Sequence, residues 1–480
     1  MSQDNKIDKA VKGVAWSAIE RFSVQGVQFL VSIILARLLT PNDFGLVAIV
    51  IVFSSIFQTI NESGFNTALV HKLDRDELDY STAFVTNLMI GIASYGLLFF
   101  VAPWIATFYE NEALVLVMRL LSLNLVVNAV GLVPIAIYTI RVDFKTQARA
   151  SLTAAVVSGI LGISAAYLLR NVYAIVAQQI AYSLIYVVLM WFFAKYKLSF
   201  TFSKERFFNL FNFASKLIVA RLISIIFEDI YSLAIGKIYT PGVLGCYNRA
   251  QSFQQVLSKN VIAIIQRVSI PILCEQQHDY KQMQNVLLRF MNTTALVVYP
   301  MLAGLMVLSK PLILTLLGEQ WEFASDMLLF ACPVGFFYLI STFNRNIYNA
   351  TGRTDLALKT EVFKKTIFIF IFILTMKYKI QVLLIGLILI SIIEMLIDVK
   401  MVNKQIGLTL CKELKSLAGI VVATILMSAV VYFSITLVYS NLMKLVIGFL
   451  IGVISYIVIC YVFNIANFKN ELKQYAAFLK

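Results

Sequence analysis

Cysteine and histidine are scarce in this chain. The five cysteines (Cys246, Cys274, Cys332, Cys411 and Cys460) are scattered and form no CxxC pair, which argues against a disulfide framework and against a thiolate metal site. The two histidines, His71 and His278, lie far apart, so no histidine-ligated metal is expected. Charge is also sparse: 14% of residues are Asp, Glu, Lys or Arg, against about 25% in ordinary soluble chains. No G-x-x-x-x-G-K-[ST], G-x-S-x-G or H-E-x-x-H occurs, so nothing points to an ATP site, a serine nucleophile or a zinc protease, and no cofactor is expected. No polar stretch is long enough for a soluble catalytic domain between apolar runs, so the chain is not expected to be an enzyme.

What is abundant is apolar sequence. Hydrophobic residues make up 60% of the 480 positions, and mean hydropathy is +0.83. The pattern is that of an all-α polytopic membrane protein, with about fourteen apolar runs of spanning length. They fall near 13–38, 44–65, 81–103, 113–137, 150–169, 173–194, 212–236, 243–266, 285–308, 323–348, 362–378, 381–399, 416–439 and 443–463. The third is expected to end at Pro103-Trp104. The polar start, Met1 to Lys12, and the length of the first run do not fit a cleavable signal peptide.

The net charge of +14 is a matter of topology rather than of a nucleic-acid partner. Lysines and arginines of the connections divide about three to one in favour of the side holding both termini, which places the termini in the cytoplasm. Lys359, Lys364 and Lys365 are counted there as loop residues. The basic stretch 195–216 reads as an amphipathic cytoplasmic linker.

The chain also repeats itself. Thr40-Pro41-Asn42-Asp43-Phe44-Gly45 returns about 200 residues later as Thr240-Pro241-Gly242-Val243-Leu244-Gly245, with Arg21 and Arg221 at matching distances before them. A proline suits the first turn of a new helix. The expected organisation is a six-helix lobe over 1–194, the linker 195–216, a second six-helix lobe over 217–401, and two further helices with a tail over 402–480. A repeat every six helices preserves orientation, so the lobes should be related by a pseudo-two-fold along the membrane normal.

Polar side chains within spans are costly and mark candidate sites. Ser17, Arg21, Gln25, Gln28 and Ser32 share one helical face. Arg221, Ser224, Glu228 and Ser232 share another, with Asp229 adjacent. Asn248, Ser252, Gln255 and Lys259 form a third, and Arg345 closes a polar cluster in the tenth span. Arg21, Arg221, Lys259 and Arg345 suit an anionic headgroup such as a pyrophosphate, because guanidinium groups bind phosphate oxygens in pairs. Gln25, Gln28 and Gln255 suit sugar hydroxyls, but they equally suit helix–helix hydrogen bonds. The alternative is structural: Arg21 pairs with Glu20 or Glu62, Arg221 pairs with Glu228, and long cationic side chains snorkel to the interface. Glu62, Glu228, Asp229, Glu394 and Asp398 are candidates for binding a coupling ion, or equally for salt bridges. Ser158, Gly159, Gly162 and Ala165 allow close helix packing in the fifth span.

Lys12-Gly13-Val14-Ala15-Trp16, Leu35-Ala36-Arg37-Leu38-Leu39-Thr40-Pro41-Asn42-Asp43-Phe44-Gly45 and Ser63-Gly64-Phe65 together resemble the Wzx-type polysaccharide-export flippases of the multidrug/oligosaccharidyl-lipid/polysaccharide superfamily. The resemblance implies a flippase of the bacterial inner membrane. It would carry undecaprenyl-diphosphate-linked oligosaccharide repeat units to the periplasmic leaflet by alternating access around a cationic central cavity. It also implies a groove for the polyprenyl tail beside the last two helices, and partners among polysaccharide polymerase and chain-length machinery. An ion-coupled multidrug exporter and a lipid II flippase of the same superfamily are the alternatives.

Overall fold

The computed structural model describes residues 22–63, 65–72, 74–194 and 200–465. Among the described residues the regular structure is helical. The helices are α1 (Phe22–Leu38), α2 (Pro41–Ser63), α3 (Phe65–His71), α4 (Glu77–Phe108), α5 (Ala113–Leu121), α6 (Leu123–Ile140), α7 (Phe144–Leu169), α8 (Tyr173–Ala194), α9 (Lys204–Ile238) and α10 (Pro241–Glu275). They continue with α11 (Tyr280–Val307), α12 (Ser309–Leu316), α13 (Glu322–Ala350), α14 (Thr354–Thr375), α15 (Ile380–Ile406), α16 (Leu410–Thr436) and α17 (Asn441–Val462). Among the described residues, eleven segments are long and apolar enough to cross a membrane. The other expected spans correspond to α1 and α9, which adjoin or include residues outside the described ones, and to α14, which falls short of that measure. In α14 the reason is charge, from Lys359, Glu361, Lys364 and Lys365. Residues 204–216 of the expected linker are the opening turns of α9.

The chain forms two compact units, Met1–Gly245 and Cys246–Lys480. In the first, Leu69, Phe84, Val133, Ala136 and Leu210 from α3, α4, α6 and α9 pack together. In the second, α16 and α17 pack onto α11 through Ala303, Met427, Val431 and Tyr456. Lipid tails are as apolar as these side chains, so such contacts gain from close packing more than from removal of water. Glycines set the closeness in α7, where a Cβ on Gly162 would lie 2.5 Å from the Gln178 side chain.

Proline decides much of the local geometry. The expected stop at Pro103-Trp104 is not observed; α4 continues through it to Phe108. A proline within a helix removes one N–H and leaves the carbonyl four residues earlier without its partner. A neighbouring helix supplies one instead. The carbonyl of Phe99, freed by Pro103, accepts from Arg119 Nε at 3.3 Å, and the Arg119 guanidinium also lies 4.1 Å from the Phe99 ring centre. The carbonyl of Val130, freed by Pro134, accepts from Trp191 Nε1 at 3.0 Å. The carbonyl of Leu296, freed by Pro300, accepts from the Tyr456 hydroxyl at 3.0 Å. Tyr456→Phe is therefore expected to cost about 1–3 kcal/mol, the penalty of an orphaned buried acceptor. Thermal unfolding of the purified variant checks this, and no loss of stability would show that the carbonyl needs no donor.

The repeated motif has a local logic in both copies. Thr40 caps α2 and Pro41 is its first residue. The Thr40 hydroxyl donates to Asp43 Oδ2 at 2.7 Å, and the Thr40 N–H donates to the same oxygen at 2.9 Å. The Asp43 N–H donates back to the Thr40 hydroxyl at 3.4 Å, which completes a capping box with proline at the first helical position. Thr240 caps α10 with its hydroxyl alone, accepting from the Val243 N–H at 3.3 Å; Val243 has no side-chain oxygen to complete a box. The two copies also touch within the first unit. A Cβ on Gly45 would lie 1.7 Å from the Pro241 carbonyl oxygen, and one on Gly245 would lie 2.0 Å from the Pro41 carbonyl oxygen. Each glycine thus faces the other copy's proline, the reciprocal pattern of a local two-fold contact. The same end is tied by Lys237 Nζ to Glu110 at 2.8 Å, which holds the Glu110 carboxyl below its usual range.

Candidate functional site

Helix α13 carries a polar band, Ser341, Thr342, Asn344, Arg345 and Asn346, within its last turns. An acid from each of three neighbouring helices meets it. Arg345 Nη1 lies 3.6 Å from Glu361 of α14. Ser341 Oγ donates to Asp398 of α15. Asn344 Nδ2 donates to Glu413 of α16 at 3.0 Å. Lys364 of α14 completes the centre, with Nζ 2.6 Å from Asp398 and 3.3 Å from Glu361. The side chains of Lys364 and Asp398 are 2% and 0% exposed, so this pair is withdrawn from solvent. Glu394 lies on the same helix as Asp398, in electrostatic reach of Lys365, Lys364 and Arg345.

A cavity of about 310 Å³ opens beside this band, lined by Arg345, Glu361, Asn346, Gln266, Tyr338 and Tyr348 among others. Asn346 is 2% exposed; its Oδ1 accepts from Gln266 at 3.0 Å, while its Nδ2 has no partner among the described residues. A guanidinium, a free amide donor, a carboxylate and two tyrosine rings suit a hydroxyl-rich or anionic group better than an apolar one.

Of the expected cations, Arg345 is thus in a polar cavity. It is partly neutralised there by Glu361, and the ring of Tyr338 lies 6.0 Å away. Arg221 is exposed and pairs with Glu228 at 3.8 Å, the structural alternative; such a pair is worth about 0–1 kcal/mol. Asp229 accepts from Ser55 Oγ at 3.3 Å. Lys259 is exposed on α10. Gln255 donates to Gln251, and Gln251 to the Tyr247 hydroxyl, along one face of α10. Gln25 and Gln28 are half-buried on α1. Arg21 and the side chain of Glu62 lie outside the described residues. Arg345 and Glu394 are therefore brought together in the second unit, whereas Arg221, Glu228 and Asp229 sit on one stretch of α9 in the first.

Lys364 is not the loop residue expected. It lies well inside α14, which begins at Thr354, and within the apolar run 362–378, although the charge tally places it with the loops. The spacing of Glu361 and Lys364 was the available signal, since residues three apart share a face. Glu413 gave no such signal, standing between Lys412 and Lys415 at the start of a span.

The family described as "Polysaccharide biosynthesis protein" matches residues 34–326, a stretch that includes both copies of the repeated motif. This chain belongs to that family. Among curated relatives it is similar to the teichuronic acid biosynthesis protein TuaB of Bacillus subtilis, with 25% identity over 350 residues, 72% of each chain. It is likewise similar to the lipopolysaccharide biosynthesis protein WzxC of Escherichia coli, with 23% identity over 364 residues, 75% of this chain and 74% of the relative. Its fold is that of a solved structure of the lipid II flippase MurJ in an inward closed conformation, with a TM-score of 0.74 at 18% identity, covering 93% of this chain and 98% of that one. The resemblance read from the motifs is thereby borne out. The protein is a multi-pass membrane protein whose relatives are named for polysaccharide biosynthesis and whose fold is that of the MurJ structure.

Proposed function

We propose that the chain moves undecaprenyl-diphosphate-linked oligosaccharide repeat units from the cytoplasmic to the periplasmic leaflet of the bacterial inner membrane, with both termini in the cytoplasm. The family match carries this reading. Its relatives are named for chemically different polysaccharides, and a lipid carrier with sugar attached is chemistry such substrates share. The cavity beside α13 supports it, offering Arg345 to phosphate oxygens and Asn346, Gln266 and Glu361 to sugar hydroxyls. Arg21, Arg221 and Lys259 are the further cations of the proposed path, with Gln25, Gln28 and Gln255 along it. Glu62, Glu228, Asp229 and Glu394 are the proposed coupling acids. Polysaccharide polymerase and chain-length machinery are the proposed partners.

The direct test is deletion of the gene, with lipid-linked intermediates weighed by mass spectrometry. Accumulation of an undecaprenyl-diphosphate oligosaccharide with loss of surface glycan is the expected result. Accumulation of lipid II instead, or normal surface glycan, overturns the reading. At residue level, Arg345→Ala is expected to lower surface polysaccharide about 10- to 100-fold at unchanged protein abundance, the value of one charge-assisted hydrogen bond to an anion. Wild-type glycan levels would remove Arg345 from the path.

A further inference from the structure

We propose that Glu413 is a proton-binding site, a carboxyl that carries an exchangeable proton and in that form pairs with the Asn344 amide. The inference goes beyond the transport reading and does not rest on it. Glu413 and Asn344 are both 0% exposed. Asn344 Nδ2 donates to Glu413 Oε2 at 3.0 Å. The two remaining oxygens of this contact, Glu413 Oε1 and Asn344 Oδ1, each lack a hydrogen-bond partner among the described residues. Both are acceptors, so no rearrangement of the pair itself satisfies either while the acid is ionised. A proton on Oε1 supplies the missing donor. The acid then gives its O–H to the amide oxygen as the amide gives its N–H to the acid, and neither group is left unmade.

Charge points the same way. Asp398 and Glu361, the other acids around α13, have Lys364 and Arg345 as counter-ions. Glu413 forms no ion pair with a described residue, and an unpaired buried charge is the costliest state of a carboxyl. Among the described residues of the helices packed against α16, Tyr299 of α11 is a titratable group within electrostatic reach, and its hydroxyl is spent on the Phe336 carbonyl. Tyr456 and Cys460 of α17 face Ala423 and Met427, farther along the helix. Asp398 of α15 is held by Lys364 and Ser341. A bound sodium ion would need more oxygen ligands than these two groups supply. The proton has a short way to solvent: Glu413 lies in the opening turns of α16, capped by Thr409, and its neighbours Lys412, Leu414 and Lys415 are exposed. Losing the proton leaves an uncompensated charge between α16 and α13, so proton occupancy and the packing of α16 are linked.

The test is difference infrared spectroscopy of the full-length protein in liposomes, titrated from acid to alkaline medium and read at the carbonyl stretch of protonated carboxyls. The expected result is a band that disappears on alkalinisation, is absent in Glu413→Gln and persists in Glu394→Gln. Glu413→Gln keeps size and neutrality, and a glutamine amide can pair with Asn344 in the same two-bond fashion, so folding should survive. If that variant does not fold, Asn344→Ala is expected to shift the pH at which the band vanishes. No protonated-carboxyl band in the wild type, a band unchanged in Glu413→Gln, a midpoint unmoved in Asn344→Ala, or a band answering to sodium at constant pH would each overturn the proposal.

Discussion

Lys364→Met is expected to cost the second unit about 3–5 kcal/mol, the loss typical when one partner of a buried ion pair is removed. The reason is the residue left behind. Asp398 is fully buried, and its remaining bonded partner is the Ser341 hydroxyl, which cannot neutralise a charge. Glu361 would lose its 3.3 Å contact as well, though it keeps Arg345. Removing both charges should be far milder: a well-packed apolar replacement of a buried pair is often neutral or stabilising. Lys364→Met/Asp398→Leu is therefore expected to recover more than half of the loss. Thermal unfolding of the purified proteins in one detergent decides it. A single-variant loss below about 1 kcal/mol, the range of an exposed pair, would contradict the burial of this centre.

Much of the fold was legible because long apolar runs are the strongest signal a sequence carries. Helices α8, α16 and α17 lie where hydropathy put them, and the repeated motif proved to be a cap, a first-turn proline and a contact glycine in each copy. What hydropathy misread was local. It stopped α4 at Pro103 because a proline normally ends a helix, and Arg119, which answers the freed carbonyl, is twenty residues away in the chain. The charge tally counted Lys364 with the loop cations although the run 362–378 contains it, because a lysine is ordinarily placed in water; a lysine with a buried counter-ion can sit inside a helix. The site was less legible than the fold for a related reason. Arg345 was found because an arginine in an apolar run stands out. Glu361 and Glu413 lie at the edges of such runs, and what makes them notable is a partner on another helix: Arg345 for one, Asn344 for the other. A single sequence does not encode that distance in any periodicity.

Gly45→Ala and Gly245→Ala are expected to destabilise the protein although alanine is the better helix former. In an exposed helix interior the exchange gains about 0.5–1 kcal/mol. Here the added methyl would stand 1.7 Å from the Pro241 carbonyl oxygen in one case and 2.0 Å from that of Pro41 in the other. A flexible side chain could turn away, but these oxygens belong to the first turns of α10 and α2, so the two helix ends must separate instead. Overpacking of this kind costs about 1–3 kcal/mol, which outweighs the propensity gain and moves a two-state equilibrium by about 5- to 150-fold. Gly96→Ala is the control, since a Cβ there meets nothing within 4 Å, and it should be neutral or slightly stabilising. The double variant Gly45→Ala/Gly245→Ala should lose less than the sum of the singles, because one separation of the helix ends relieves both clashes and contacting sites couple. Unfolding temperatures of the four variants in one detergent test this. Strict additivity would mean that the two glycines do not share one contact, and a Gly45→Ala protein as stable as Gly96→Ala would remove the reciprocal packing of the two motif copies.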